Sequence, residues 1–180
     1  MDPNSFGIRG LWSFNKNIRR PKETSTIPFT KDEKVLLCTQ ILHGDISIVW
    51  PDMFYGDNRA FWAMEWNDHG RYSGYNPCYY FSKAVSTYNI LNTRNLVGKL
   101  AKTSKPVVIG SSYELSTLST TFKEALGSGK NDIFIKCVVI KEICYLWEMR
   151  VYYDIRFNRI QPPMLAENCL STVIFPKPLI

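Results

Sequence analysis

Lys34 to Trp66 reads KVLLCTQILHGDISIVWPDMFYGDNRAFWAMEW, and the fold class turns on how this stretch is parsed. Lys34 to His43 is short, nearly continuous and apolar, which predicts a buried strand. Ile46 to Trp50 is a second apolar run ending at Pro51, either a short strand or the turn into that proline. Asp52 to Asn58 carries turn chemistry in Gly56, Asp57 and Asn58. Arg59 to Trp66, with Phe61, Trp62 and Trp66, fits a strand or a helix.

Toward the C-terminus, Asn67 to Pro77 is a loop rich in glycine, asparagine and tyrosine, which belongs at the surface. Cys78 to Leu91 is dominated by aromatic and β-branched residues, a composition that predicts a strand. Asn95 to Lys102 suits a short helix, and Lys105 to Ile109 a short strand stopped by Gly110. Ser112 to Leu126 carries the clearest helical pattern: Leu115, Leu118, Phe122, Ala125 and Leu126 form one stripe, and Gly127 and Gly129 follow as stop signals. Asp132 to Ile140 and Glu142 to Ile155 read as strands. Period-two geometry puts Glu148 and Arg150 on one face of the second.

This order is strand-rich, holds two or three helices and lacks a regular strand–helix alternation. It predicts a single α+β domain built on a largely antiparallel, twisted sheet. Residues 1–33 form a basic N-terminal arm, 34–160 the core domain and 161–180 an extended, proline-containing tail. The opening MDPNS reads like a cloning-linker remnant, so the natural sequence is expected to start near Phe6.

A chain of 180 residues with 45% hydrophobic and 21% charged residues has ordinary globular composition and can bury a sizeable core. The formal net charge of +6 favours a polyanionic partner, either nucleic acid or a phosphorylated cofactor. No apolar run approaches the length that spans a bilayer, so no membrane partner is expected. The five cysteines are odd in number and form no CxxC pair; Cys38, Cys137 and Cys144 sit in apolar runs. That pattern predicts reduced thiols, no disulfides, and an intracellular location in cytoplasm or nucleus. Two histidines and unclustered cysteines argue against a metal site.

Phosphate-binding loops of the GxxxxGK[ST] or GxGxxG type are absent, as are GxSxG and HExxH. GIRGLW at Gly7 to Trp12, with DISIVW at Asp45 to Trp50, is similar to the opening of flap-endonuclease-type nucleases. The acidic motifs that complete that family's metal site have no counterpart here, and the likeness is set aside.

ILHGD at Ile41 to Asp45, RAFWAMEW at Arg59 to Trp66, YYFSKAV at Tyr79 to Val85 and WEMRVYYDI at Trp147 to Ile155 together resemble the ADP-ribosyltransferase-like fold of the poly(ADP-ribose) polymerase type. The resemblance implies NAD as cofactor and transfer of ADP-ribose, or an inactive version that only binds. It gives His43 and Gly44 the ribose and the nicotinamide amide, Trp62 or Tyr80 the nicotinamide ring, and Arg59 or Arg71 the pyrophosphate. Glu148 becomes the catalytic carboxylate, with His43 beside it.

A different class competes. The basic arm (Arg9, Lys16, Arg19, Arg20, Lys22) and the segment holding Arg71, Tyr72, Tyr75 and Tyr79 suit single-stranded RNA or DNA, cations on phosphates and rings on bases. A third reading is a protein-interaction domain that meets a partner through the arm or the tyrosine-rich loop.

Overall fold

The computed structural model describes residues 6–12, 43–91, 93–127, 133–154, 156–161 and 168–177. They divide into two compact units, Phe6–Arg94 and Asn95–Ile180. The expected strand at Lys34 to Leu42 lies outside the described residues, as does most of the basic arm.

The first unit is helical. His43–Val49 forms α1, Asn58–Asp68 α2 and Pro77–Leu91 α3. In α1 and the residue after it, Ile46, Val49 and Trp50 are buried at helical spacing, so this run is neither the short strand nor the turn expected of it. Asp52 then organises the link. Its Oδ1 accepts from the amides of Phe54 (2.9 Å) and Tyr55 (3.3 Å), and its Oδ2 from that of Asp57 (3.2 Å). Asp57 caps α2 by accepting from the amides of Arg59 and Ala60. A 3-10 turn at Gly70–Tyr72 follows. Gly70 is needed for space, since a Cβ there would lie 2.2 Å from the Trp66 ring. Asn76 accepts from the Tyr79 amide at 2.9 Å, and Pro77 occupies the first turn of α3.

Cys78 to Leu91 is therefore helix, not strand. Its buried residues Tyr80, Phe81, Ala84, Val85 and Tyr88 recur at helical spacing and meet Trp50, Trp62 and Trp66 in one core. Trp50 stands 5.5 Å from Phe81, and Trp66 5.6 Å from Tyr80, ring centre to ring centre. The Trp62 indole N–H donates to the Trp50 carbonyl at 2.7 Å.

The second unit carries the sheet. Leu96–Leu100 is α4, Ser112–Glu114 β1, Leu115–Ala125 α5, Ile133–Ile140 β2, Ile143–Val151 β3 and Thr172–Ile174 β4. The strand order is β1-β4-β3-β2. β2–β3 and β1–β4 are antiparallel, while β3–β4 is parallel, so the sheet is mixed. The α+β class expected from the sequence is the class adopted, with five α-helices among the described residues. Lys105 to Ile109 is not strand. Leu118 and Phe122 of α5 are buried, and the Phe122 ring lies 6.2 Å from that of Phe175, just past β4.

The reading of the cysteines as reduced is corrected. Cys137 is bonded to Cys169, and Cys78 is disulfide-bonded as well. Asn168 reinforces the first link: its amide accepts from the Cys137 N–H (3.2 Å) and donates to the Cys137 carbonyl (2.6 Å), covering the open edge of β2. Sequence spacing hid this pair because 32 positions separate its members. Cys144 is a free, buried thiol. No described helix is long and apolar enough to cross a membrane.

The aromatic core makes a direct test. Phe81→Ala, at a fully buried position, should cost about 3–5 kcal/mol in urea unfolding. Ile90→Ala on the same helix, at a side chain 79% exposed, should change stability by less than about 0.5 kcal/mol.

Candidate active site

Glu65 and His69 stand one turn apart at the end of α2, a spacing that places both side chains on the same helix face. Glu65 is 2% exposed although it is a carboxylic acid. His69 ends the helix, its amide donating to the Glu65 carbonyl at 3.0 Å.

The extended segment at residues 6–12 runs against this face. Hydrogen bonds fix it, among them the Ile8 amide donating to the Val49 carbonyl (2.7 Å) and the Tyr80 hydroxyl donating to the Leu11 carbonyl (2.6 Å). The segment brings Arg9 and Trp12 to Glu65. The Trp12 indole N–H points at Glu65 Oε2 at 3.4 Å, and its ring lies 5.3 Å from the His69 imidazole. Arg9 Nη1 is 3.6 Å from Glu65 Oε1, and its guanidinium sits 5.9 Å from the centre of the Trp12 ring. Gly10 leaves room for this cluster, since a Cβ there would come within 2.2 Å of Trp12 Nε1 and 2.8 Å of Glu65 Oε2.

Burial pushes the Glu65 carboxyl up to about 7, against the pull of the Trp12 hydrogen bond and the Arg9 charge, with Asp68 adding to the rise. Burial also raises the Tyr80 phenol well above its ordinary range, and the nearby Glu65 charge adds to it, so the phenol stays protonated and keeps its bond to Leu11. The cluster thus combines a permanent cation, a carboxyl that titrates near neutrality and an imidazole. Those are the parts needed to hold an anionic group and move a proton beside it. Among the described residues no group of three or more His, Cys, Asp or Glu could hold a metal ion.

The residues assigned to NAD by resemblance do not form a site. Trp62 and Tyr80 are core side chains, 3% and 0% exposed, and neither offers a ring to a ligand. Glu148 is paired instead: its Oε1 accepts from Arg150 Nε at 2.6 Å and lies 3.7 Å from Lys136 Nζ. Arg59 is exposed on the first turn of α2. His43 and Gly44 open α1 in the first unit, whereas Glu148 lies in the second; the side-chain surroundings of His43 and Gly44 are outside the described residues. Arg71 and Tyr72 lie in the 3-10 turn after His69, and Tyr75 packs against the core with its ring 4.7 Å from that of Tyr79. Lys16, Arg19, Arg20 and Lys22 lie outside the described residues.

Four residues of the cluster, Arg9, Trp12, Glu65 and His69, were given no catalytic role by the sequence. The available signal was the Glu65–His69 spacing, which carries meaning only once RAFWAMEW is read as helix.

A family model for the ribonuclease T2 family matches residues 1–169. Ribonuclease MC of Momordica charantia is 28% identical over 100 residues, 53% of this chain and 47% of the relative, so the chain spans about half the length of the curated relative it matches. Ribonuclease MC1 from the seeds of bitter gourd has the same fold, with a TM-score of 0.77 at 20% identity over 95% of this chain and 85% of that one. A mutant of RNase MC1 in complex with 5'-GMP gives a TM-score of 0.77 at 21% identity over the same shares of the two chains. These findings overturn the ADP-ribosyltransferase resemblance, and with it NAD as cofactor: two of the four segments that carried it are helical parts of a different fold.

Because the folded state raises the Glu65 carboxyl from its ordinary 4.5 to about 7, the native protein binds more protons than the unfolded chain between those values. Stability should therefore fall as pH rises through that window and level off above it. Thermal unfolding followed across the range should show this slope, and Glu65→Gln should flatten it.

Proposed function

The chain belongs to the ribonuclease T2 family, and from that premise we propose that it binds RNA at the Arg9–Glu65–His69 cluster and cleaves the phosphodiester slowly, without a metal. The observation that carries this reading is the convergence of a half-exposed guanidinium, an imidazole and a near-neutral carboxyl around the Trp12 ring.

In the proposed reaction Arg9 pairs with the phosphate oxygens, and its fixed charge offsets the negative charge that grows as phosphorus becomes five-coordinate. His69 takes the proton from the ribose 2′-hydroxyl. The 2′-oxygen bonds to phosphorus, the bond to the 5′-oxygen breaks, and the leaving oxygen takes a proton from water. The products are a 2′,3′-cyclic phosphate and a free 5′-hydroxyl. DNA lacks the 2′-hydroxyl and is not cut.

Slowness follows from the proton inventory. Arg9 never gives up its proton, and Glu65 is 2% exposed behind Trp12 and Arg9. His69, half-buried beside the Trp12 ring, is left as the proton carrier in this reading, and a missing general acid costs about 10²–10⁴-fold. The same inventory favours a second reading, RNA binding with cleavage lost altogether.

An end-labelled oligoribonucleotide in EDTA distinguishes them. Products ending in cyclic phosphate, absent with the DNA analogue and about a hundredfold or more slower to form with His69→Ala, support cleavage; a hundredfold is roughly the lower end of what one general base contributes. Equal background rates for both proteins, with RNA retained in a salt-sensitive complex, leave binding alone. Loss of both abandons the site.

A further inference from the structure

We infer that a phosphodiester bound at Arg9 draws that guanidinium away from Glu65, and that the carboxyl answers by taking up a proton, so that binding RNA is coupled to protonation of a buried acid. The inference rests on the proposed reading of this cluster as the phosphodiester site and adds what happens behind it.

The geometry makes the exchange open to a ligand. The two partners are unequally exposed: the Arg9 side chain is 51% exposed and the Glu65 side chain 2%. Their closest approach, 3.6 Å, is a loose contact; a charge-assisted hydrogen bond closes to about 2.7–2.9 Å. A phosphodiester arriving from solvent can accept a closer, forked pair from the guanidinium, whereas Glu65 cannot advance to compete without leaving its place under Trp12.

The groups facing Glu65 come from three elements. Arg9 of the N-terminal segment attracts the ionised form, and the Trp12 indole hydrogen-bonds it. Asp68 of α2 repels it, and His69 lies one turn further on the same helix. Tyr80 of α3 stays neutral with its hydroxyl committed to Leu11. Arg9 is the permanent cation in that set. A phosphate that claims Arg9 removes the carboxylate's counter-ion and adds a second negative charge nearby. Both effects favour the neutral carboxyl. Reciprocity then requires the phosphodiester to bind more tightly as pH falls through the range in which Glu65 titrates.

The test uses a 2′-deoxy dinucleoside phosphodiester, which cannot be cleaved and whose phosphate does not titrate near neutrality. Calorimetric titration near neutral pH, in phosphate-free buffers of different ionisation enthalpy, reads proton uptake directly. His69→Gln removes the imidazole's own contribution. In that variant the binding enthalpy should still depend on the buffer, and affinity should weaken by roughly tenfold from mildly acid to mildly alkaline pH, the equivalent of one pKa unit. The further change Glu65→Gln, which keeps the shape and removes the proton, should abolish both effects while binding persists. Buffer-independent binding in His69→Gln overturns this inference and leaves the site reading intact. No binding by the wild-type chain, or binding unchanged by Arg9→Ala, overturns the site reading itself.

Discussion

The hydrogen bond from the Tyr80 hydroxyl to the Leu11 carbonyl, 2.6 Å long, is the constraint on which the site depends. The ring of Tyr80 is fully buried among Trp50, Trp66 and Phe81, so its position is set by the packing of three helices. The hydroxyl at its far end reaches the N-terminal segment and fixes the residue next to Trp12. A rigid core therefore dictates where a short, otherwise extended segment places its guanidinium and its indole. Leaving that hydroxyl unpaired in an apolar surround would cost about 1–3 kcal/mol. The bond thus holds the segment against α2, and the Ile8–Val49 bond ties it down again three residues earlier.

Much of the second unit was legible. Strands β2 and β3, the helix α5 and the short helix α4 stand close to where alternation and apolar periodicity place them. Local pattern was enough there because each strand has one dry face and the helix has a narrow apolar stripe. The first unit misled for an equally physical reason. Tyr79 to Val85 has the aromatic and β-branched content of a strand, yet propensity is a weak prior against packing. Burial at Tyr80, Phe81, Ala84, Val85 and Tyr88 follows the helical period, and Asn76-Pro77 is a helix start that the composition-led reading passed over. One misassigned element then lent support to a fold in which Tyr80 was to face a ligand.

The site was half visible. GIRGLW had been noticed, but as the opening of a metal-dependent nuclease, with no partner identified for Arg9 or Trp12. Glu65 closes a run that fits strand or helix alike, while His69 falls in Asn67 to Pro77, which reads as loop, so spacing could not select the two together. Contacts between Trp12 and Glu65 join positions 53 apart, and no short-range pattern reports them. The cysteines failed for the same reason, since a disulfide across 32 positions has no spacing signature.

Glu65 and Glu148 show how context separates two carboxylates that a sequence presents alike. Glu148 has two cations on its own sheet face, Arg150 and Lys136, the latter directly across the ladder. Its charge is compensated where it stands, which is a structural role complete in itself. Glu65 is as well buried but has one loosely held cation, one indole donor and a repelling neighbour. Burying a carboxyl with so little compensation works against folding, and glutamine would fill the same space without that penalty. A carboxyl that burial raises to about 7, on the same helix face as an imidazole and beside a half-exposed guanidinium, is the kind of arrangement that clusters at functional sites. By that criterion the candidate site lies where the N-terminal segment meets α2, and the ion pairs of Glu148 are part of the scaffold of the second unit.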